Sequence, residues 1–162
     1  MHARGQPVSP EKLAAIIDAH RGQRWSLIPL LQAIQDEFGY VPRQAVGPVA
    51  RALRLFESEV QGVISFYAQF YTEPRGRHIV RVCRGTACHV RGGKSILKVV
   101  REKLGIDDGE TTVDLQFSLE TVACLGACFA APSMLIDGSY FGRLAPPRVA
   151  SILEMYEKKQ GR

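Results

Sequence analysis

The four cysteines of this chain fall in two close pairs, Cys83-Arg84-Gly85-Thr86-Ala87-Cys88 and Cys124-Leu125-Gly126-Ala127-Cys128. Positions 89 to 123, which is 35 residues, separate them, and no other cysteine occurs in the 162-residue sequence. A fold that uses all four sulfurs together must bring two distant loops to one place. Four thiolates in two pairs match the ligand number of a tetrahedral-sulfur site, either an iron–sulfur cluster or zinc. The residues between the sulfurs are mostly small: Gly85, Thr86, Ala87, Gly126 and Ala127. Small residues let backbone N–H groups approach sulfur, and such hydrogen bonds tune an iron–sulfur centre. The pattern reads as a metal site.

Spacing alone leaves competitors open. Structural zinc uses knuckles of similar length, although such sites usually replace a missing core. With 46% hydrophobic and 23% charged residues, this chain has the material for an ordinary core. A dithiol redox enzyme would normally show C-x-x-C, which is absent. Disulfide scaffolds are usually shorter, secreted and richer in cysteine. The N-terminal stretch has no apolar signal-like run, and the most apolar window, Val122 to Ile136, contains Gly126, Pro132 and Ser133. A soluble, reducing, cytoplasmic setting without membrane insertion is therefore expected.

The net charge of +5 is uneven. Residues 1–76 carry eight Lys/Arg against seven Asp/Glu, or +1, and residues 77–162 carry thirteen against nine, or +4. No nucleic-acid-binding module accompanies the basic half, so nucleic acid is not expected as a partner. The basic residues either surround an anionic metal–thiolate centre, where Arg84, His89, Arg91, Lys94 and the positive end of the helix that begins near Lys94 could serve, or face an acidic partner; ordinary solvated side chains are an equal reading for Arg91 and Lys94.

Periodicity divides the chain at Glu73-Pro74-Arg75-Gly76. Before it, Ser9-Pro10-Glu11 opens a helix that carries Leu13, Ile16, Ile17 and His20, with Gly22 as its stop. His20 reads as a boundary residue rather than a ligand. A second helix opens at Ser26 with Leu27, Leu30, Leu31, Ile34 and Phe38 on one face and Gly39 as its cap. A third shows Val46, Val49, Ala50 and Leu53. A fourth, capped by Ser58, shows Val60, Val63, Ile64, Tyr67 and Tyr71. Phe66, Tyr67, Phe70 and Tyr71 read mainly as core or helix-docking surface. The outcome is a helical bundle with no catalytic constellation.

After the break, strands are expected at His78–Val82, Thr111–Asp114, Phe117–Val122, Met134–Ile136 and Tyr140–Phe141. Helices are expected from Lys94 to Leu104 and from Pro146 onward. Both cysteine pairs follow strands, so both can meet at one edge of a small α/β sheet.

The segments Cys83-Arg84-Gly85-Thr86-Ala87-Cys88-His89-Val90-Arg91-Gly92 and Cys124-Leu125-Gly126-Ala127-Cys128-Phe129-Ala130-Ala131-Pro132 resemble the two cluster motifs of thioredoxin-like 2Fe–2S ferredoxins. More narrowly, the chain is similar to the NADH dehydrogenase 24-kilodalton subunit family, which includes small subunits of NAD-linked hydrogenases and formate dehydrogenases. Leu30 to Pro42 and Val60 to Tyr67 resemble that family's helical region. Gly85-Thr86-Ala87 and Leu144-Ala145-Pro146 look closer to its hydrogenase-type members.

The resemblance implies an α/β architecture: a helical bundle over residues 1–76 for partner docking, then a thioredoxin-like 2Fe–2S domain over residues 77–162. It implies Cys83, Cys88, Cys124 and Cys128 as ligands of one 2Fe–2S cluster. It further implies a flavoprotein partner carrying FMN and the NAD(H) site, with further iron–sulfur, hydrogenase or dehydrogenase subunits around it. This chain has no G-x-G-x-x-G run of its own. The expected role is one-electron transfer. The alternatives are a docking and assembly module whose cluster is structural or a side reservoir, and a thiol oxidoreductase. Pro132 is expected to follow a cis peptide bond.

Overall fold

A computed structural model describes residues 8–20 and 24–158. The chain forms two compact units that divide after Arg75.

The first unit is helical: α1 (Pro10–Asp18), α2 (Leu27–Phe38), α3 (Val46–Leu53) and α4 (Glu57–Phe66), with 3-10 turns leading into α2 and α3. Ser9 caps α1 by accepting the Lys12 N–H, and Pro10 takes the first helical position, where its missing N–H costs nothing. The stop expected at Gly22 lies outside the described residues. His20 closes the segment by bonding its Nδ1 to the Ile16 carbonyl at 2.9 Å, which gives it the boundary role expected. Gly39 ends α2 with φ at 83°, a left-handed conformation that a side chain would resist. Leu30, Leu31, Ile34, Val49 and Val60 are sealed from solvent at the centre of the unit. Each contributes about 1.5–3 kcal/mol of burial to folding.

Two local expectations need correction. The fourth helix starts from Phe56, not Ser58: the Glu59 carboxylate reaches back to accept the Phe56 N–H at 2.8 Å, and this fixes the first turn two residues earlier. The same helix ends at Phe66, before Tyr71. The chain turns after Tyr67, with the Phe70 N–H on the Tyr67 carbonyl at 3.0 Å, and Gln35 pins the turn by donating to the Gln69 carbonyl and accepting the Tyr71 N–H, both at 2.8 Å. Of the aromatics there, Phe70 is buried and Phe66 is 80% exposed.

The second unit runs β1 (His78–Cys83), α5 (Thr86–Val90), α6 (Gly93–Leu104), β2 (Phe117–Val122), β3 (Met134–Ile136), β4 (Ser139–Phe141) and α7 (Pro146–Lys158). The sheet order is β2-β1-β3-β4. β1 and β2 are parallel, paired from His78 with Phe117 to Cys83 with Val122, while β3 is antiparallel to β1 and β4 to β3. The Asp137-Gly138 turn between β3 and β4 has φ of 48° and 87°, the doubly left-handed form that matches strand twist. Val80 and Val82 of β1 pack with Ile96 and Val100 of α6 and with Val149 and Leu153 of α7. Among the described residues, no helix is long and apolar enough to cross a membrane.

The strand expected at Thr111–Asp114 is reduced to a single bridge from Thr111 to Ser118. Thr112 Oγ1 accepts the N–H groups of Gln116 and Phe117 and donates to Asp114, turning the backbone at Leu115 to a φ of 54°. Local side-chain bonds captured donors that a ladder would have used.

Candidate metal centre

Parallel pairing of β1 and β2 delivers both cysteine loops to the same edge of the sheet. Cys83 is the last residue of β1, and Cys124 follows the end of β2 by two residues. The Arg84 N–H donates to the Val122 carbonyl at 2.8 Å and so stitches the two exits together. The remaining two sulfurs are set by short turns. Cys88 sits on α5, a five-residue helix that periodicity did not reveal, and Cys128 opens a 3-10 turn to Ala130.

Gly85 lies where the loops are closest. A Cβ built there would stand 2.8 Å from the Ala123 carbonyl oxygen, 3.6 Å from Cys83 Sγ and 3.8 Å from the Cys124 Cβ. Gly93 plays the same part behind Cys88, whose carbonyl oxygen would be 2.8 Å from a Cβ there. The small residues between and after the sulfurs are thus spacers that permit close backbone approach.

The four thiols stand as two pairs. Cys83 and Cys88 are buried, 4% and 1% exposed. Cys124 and Cys128 are exposed, with their sulfurs 3.8 Å apart. All four are free of disulfides. Burial alone would push the Cys83 thiol up, but hydrogen bonds from the Gly85 backbone, the Cys88 thiol, the Leu125 backbone and Ser133 outweigh it and hold Cys83 below the ordinary thiol value. Burial pushes Cys88 up, since its bonds to Ser133 offset the loss of water only in part. Cys128 is raised chiefly by its contact with Cys124. The Gly126 N–H donates to Cys124 Sγ at 3.3 Å.

Ser133 is the site residue that sequence reasoning missed. It is 2% exposed, its hydroxyl is 3.5 Å from Cys88 Sγ, and its carbonyl accepts the Cys83 N–H at 3.2 Å. It follows Pro132, and the Ala131–Pro132 bond is cis, as expected. A serine directly before a strand carried no signal of its own.

Arg84, His89 and Lys94 line a cleft of about 530 Å³ together with Cys83. Arg91, grouped with them on sequence, does not line it. Lys98 and Arg101 border the same cleft and are engaged with Glu102 and Asp107.

Among the described residues, no three His, Cys, Asp or Glu side chains gather to hold a single metal ion. A two-iron cluster takes four thiolates spread over two irons, and two thiol pairs with backbone N–H groups aimed at sulfur fit that donor set. Fold and site together define a small α/β-sheet protein that carries two thiol pairs on loops leaving adjacent parallel strands.

Similarity to known proteins narrows the class. Residues 13–157 match the thioredoxin-like [2Fe-2S] ferredoxin family, and the chain belongs to that family, whose cofactor is one 2Fe–2S cluster. It is 39% identical over 133 residues to a component of the NADH-quinone oxidoreductase of Pseudomonas aeruginosa, covering 82% of this chain and 80% of that one. It is 36% identical over 130 residues to the NADP-reducing hydrogenase subunit HndA of Solidesulfovibrio fructosivorans, covering 80% and 76%. The crystal structure of an air-oxidised NAD+-reducing [NiFe]-hydrogenase superposes with a TM-score of 0.69 at 25% identity, over 83% of this chain and 23% of that one. This chain therefore spans about a quarter of the hydrogenase chain it resembles. Respiratory and hydrogenase relatives lie at nearly equal identity, so similarity does not single out the hydrogenase-type branch.

Proposed function

We propose that this chain is the 2Fe–2S electron-transfer subunit of an NAD(H)-oxidising complex, with Cys83, Cys88, Cys124 and Cys128 as the cluster's four ligands. The observation that carries the assignment is the meeting of both cysteine loops at one end of the sheet, fastened by the Arg84 N–H on the Val122 carbonyl at 2.8 Å. When bound, the cluster supplies one-electron chemistry. The chain's own contribution is to hold two thiols in a dry interior and two at the surface. It aims the Gly126 N–H at the Cys124 sulfur and sets the Ser133 hydroxyl beside the Cys88 sulfur. An all-cysteine 2Fe–2S site of this kind belongs near the low plant-type potential of roughly −400 mV rather than in the Rieske range.

On this reading the electron is exchanged with the FMN of a partner flavoprotein that also binds NAD(H), and hydride chemistry stays on that partner. Residues 1–76 serve as a docking bundle and residues 77–162 as the cluster domain. The four free thiols suit the reducing cytoplasm.

The test is a Cys128→Ser chain assembled with its complex. Lost electron transfer from NADH with assembly intact supports the carrier role. Full turnover without a cluster moves the chain to the docking and assembly role, and insulin reduction by the isolated chain would revive the thiol-oxidoreductase reading.

A further inference from the structure

Three polar side chains are buried among the described residues, all serines, and Ser133 is the one set beside a sulfur, its hydroxyl 3.5 Å from Cys88 Sγ. The sheet fixes it there. β3 runs antiparallel to β1 with Met134 opposite Val82, and the ladder continues one step past that pair, where the Ser133 carbonyl accepts the Cys83 N–H at 3.2 Å. On the other side the Pro132 carbonyl accepts the Leu144 N–H at 3.1 Å. A backbone held on both sides carries the hydroxyl into the interior, where Ser133 is 2% and Cys88 1% exposed. That contact is closed to bulk water. Exposed Cys124, by contrast, takes the Gly126 N–H at 3.3 Å and can exchange that donor for solvent.

We propose that Ser133 is a positioning and tuning residue of the electron-transfer site, its hydroxyl donating to the Cys88 sulfur and raising the midpoint potential; the inference rests on the function proposed above. A ligating cysteine is a thiolate with no proton to give, so across this contact the hydroxyl must be the donor. A donor to sulfur binds more strongly as negative charge on the sulfur grows, and so favours the reduced form. Because both groups are dry, no water takes over when the hydroxyl is removed. One residue thus holds both buried cysteines, Cys83 by its backbone and Cys88 by its sulfur. A sealed contact of this kind also escapes the screening by salt that weakens exposed charges.

The experiment is an EPR-monitored redox titration of the cluster-loaded chain at low and high salt, with iron content measured throughout. It compares wild type with Ser133→Ala, which only removes the hydroxyl, and with Ser133→Val and Ser133→Thr, which match in shape and differ in the hydroxyl. The equilibrium constant for reduction is expected to fall about two- to twelvefold in Ser133→Ala and Ser133→Val, the worth of one hydrogen bond, and equally at both salts. Ser133→Thr should stay within about twofold of wild type. A wild-type midpoint in Ser133→Ala overturns the inference, and so does a shift that fades with salt. A Ser133→Thr midpoint that falls as far as that of Ser133→Val also overturns it, in favour of a packing effect. Alanine adds no bulk, so it decides the matter should the two larger side chains reduce iron loading. A wild-type chain that takes up no iron overturns the proposed function and this inference together, whereas a loaded chain indifferent to the hydroxyl overturns the inference alone.

Discussion

Replacing Gly85 by alanine tests how closely the two cysteine loops must approach. Gly85 has φ −59° and ψ 158°, which alanine adopts freely, so the backbone imposes no penalty. The cost is steric. The new methyl carbon would sit 2.8 Å from the Ala123 oxygen, against an ordinary contact of about 3.4 Å or more, so the loops must open by roughly half an ångström. Ala123 immediately precedes Cys124, and the other two neighbours are Cys83 Sγ and the Cys124 Cβ, so the strain falls on the ligands themselves. Overpacking of this kind costs about 1–3 kcal/mol. Reduced freedom of the unfolded chain returns about 0.4–1 kcal/mol. The net loss centres on about 1.3 kcal/mol, which corresponds to a fall in Tm of about 5–10 °C for a domain of this size. Thermal melts followed by circular dichroism read the stability, and iron and sulfide analysis after anaerobic reconstitution reads the site, where lower occupancy is expected. Gly62→Ala is the matched control: it lies within α4 with no atom within 4 Å of the new methyl, and should raise stability by about 0.5–1 kcal/mol. A Gly85→Ala protein that melts at or above wild type and loads iron fully would refute the close-approach argument.

Ser133→Ala removes a hydroxyl beside Cys88, and the midpoint potential should fall by roughly 20–65 mV, the loss of one hydrogen bond of about 0.5–1.5 kcal/mol in a one-electron couple. An EPR-monitored redox titration checks this, and an unchanged midpoint would separate Ser133 from the cluster. Arg84→Gln and Lys94→Gln should each lower the midpoint as well, by an amount that shrinks with added salt, since both cations border the cleft beside Cys83. The Asp114 carboxyl is held below its usual range first by the Thr112 hydroxyl and then by the Gln116 N–H. Its contribution is therefore complete above the unfolded carboxylate pKa of about 3.9 and is lost as pH falls through the lower folded value. Urea melts between pH 2 and 5 should show a shallower acid decline in Asp114→Asn than in wild type.

What could be read from the sequence, and what could not, follows from the range of each interaction. Leu30, Leu31 and Ile34 repeat at helical spacing, and the core they form needs only that repeat. The cysteine spacing marked the site because ligand number and pairing are themselves local, and β1 and β2 brought the loops together as their shared position after strands suggested. Thr111–Asp114 went wrong because one threonine hydroxyl competes with a strand ladder, a contest that composition does not settle. Ser58 was a plausible cap overruled by Glu59, three residues beyond Phe56. Ser133 is invisible for a different reason. Its partner lies 45 residues away, and nothing local distinguishes a serine that meets a sulfur from one that meets water.

The most direct test of the account is metal analysis with EPR of the anaerobically purified, dithionite-reduced chain, repeated for serine variants of Cys83, Cys88, Cys124 and Cys128. The account predicts a coloured protein with about two irons per chain and one unpaired electron per cluster on reduction. It also predicts that the native signal is lost or altered in every one of the four variants. Colourless protein with stoichiometric zinc, or a native signal that survives the loss of any one of these cysteines, would contradict it.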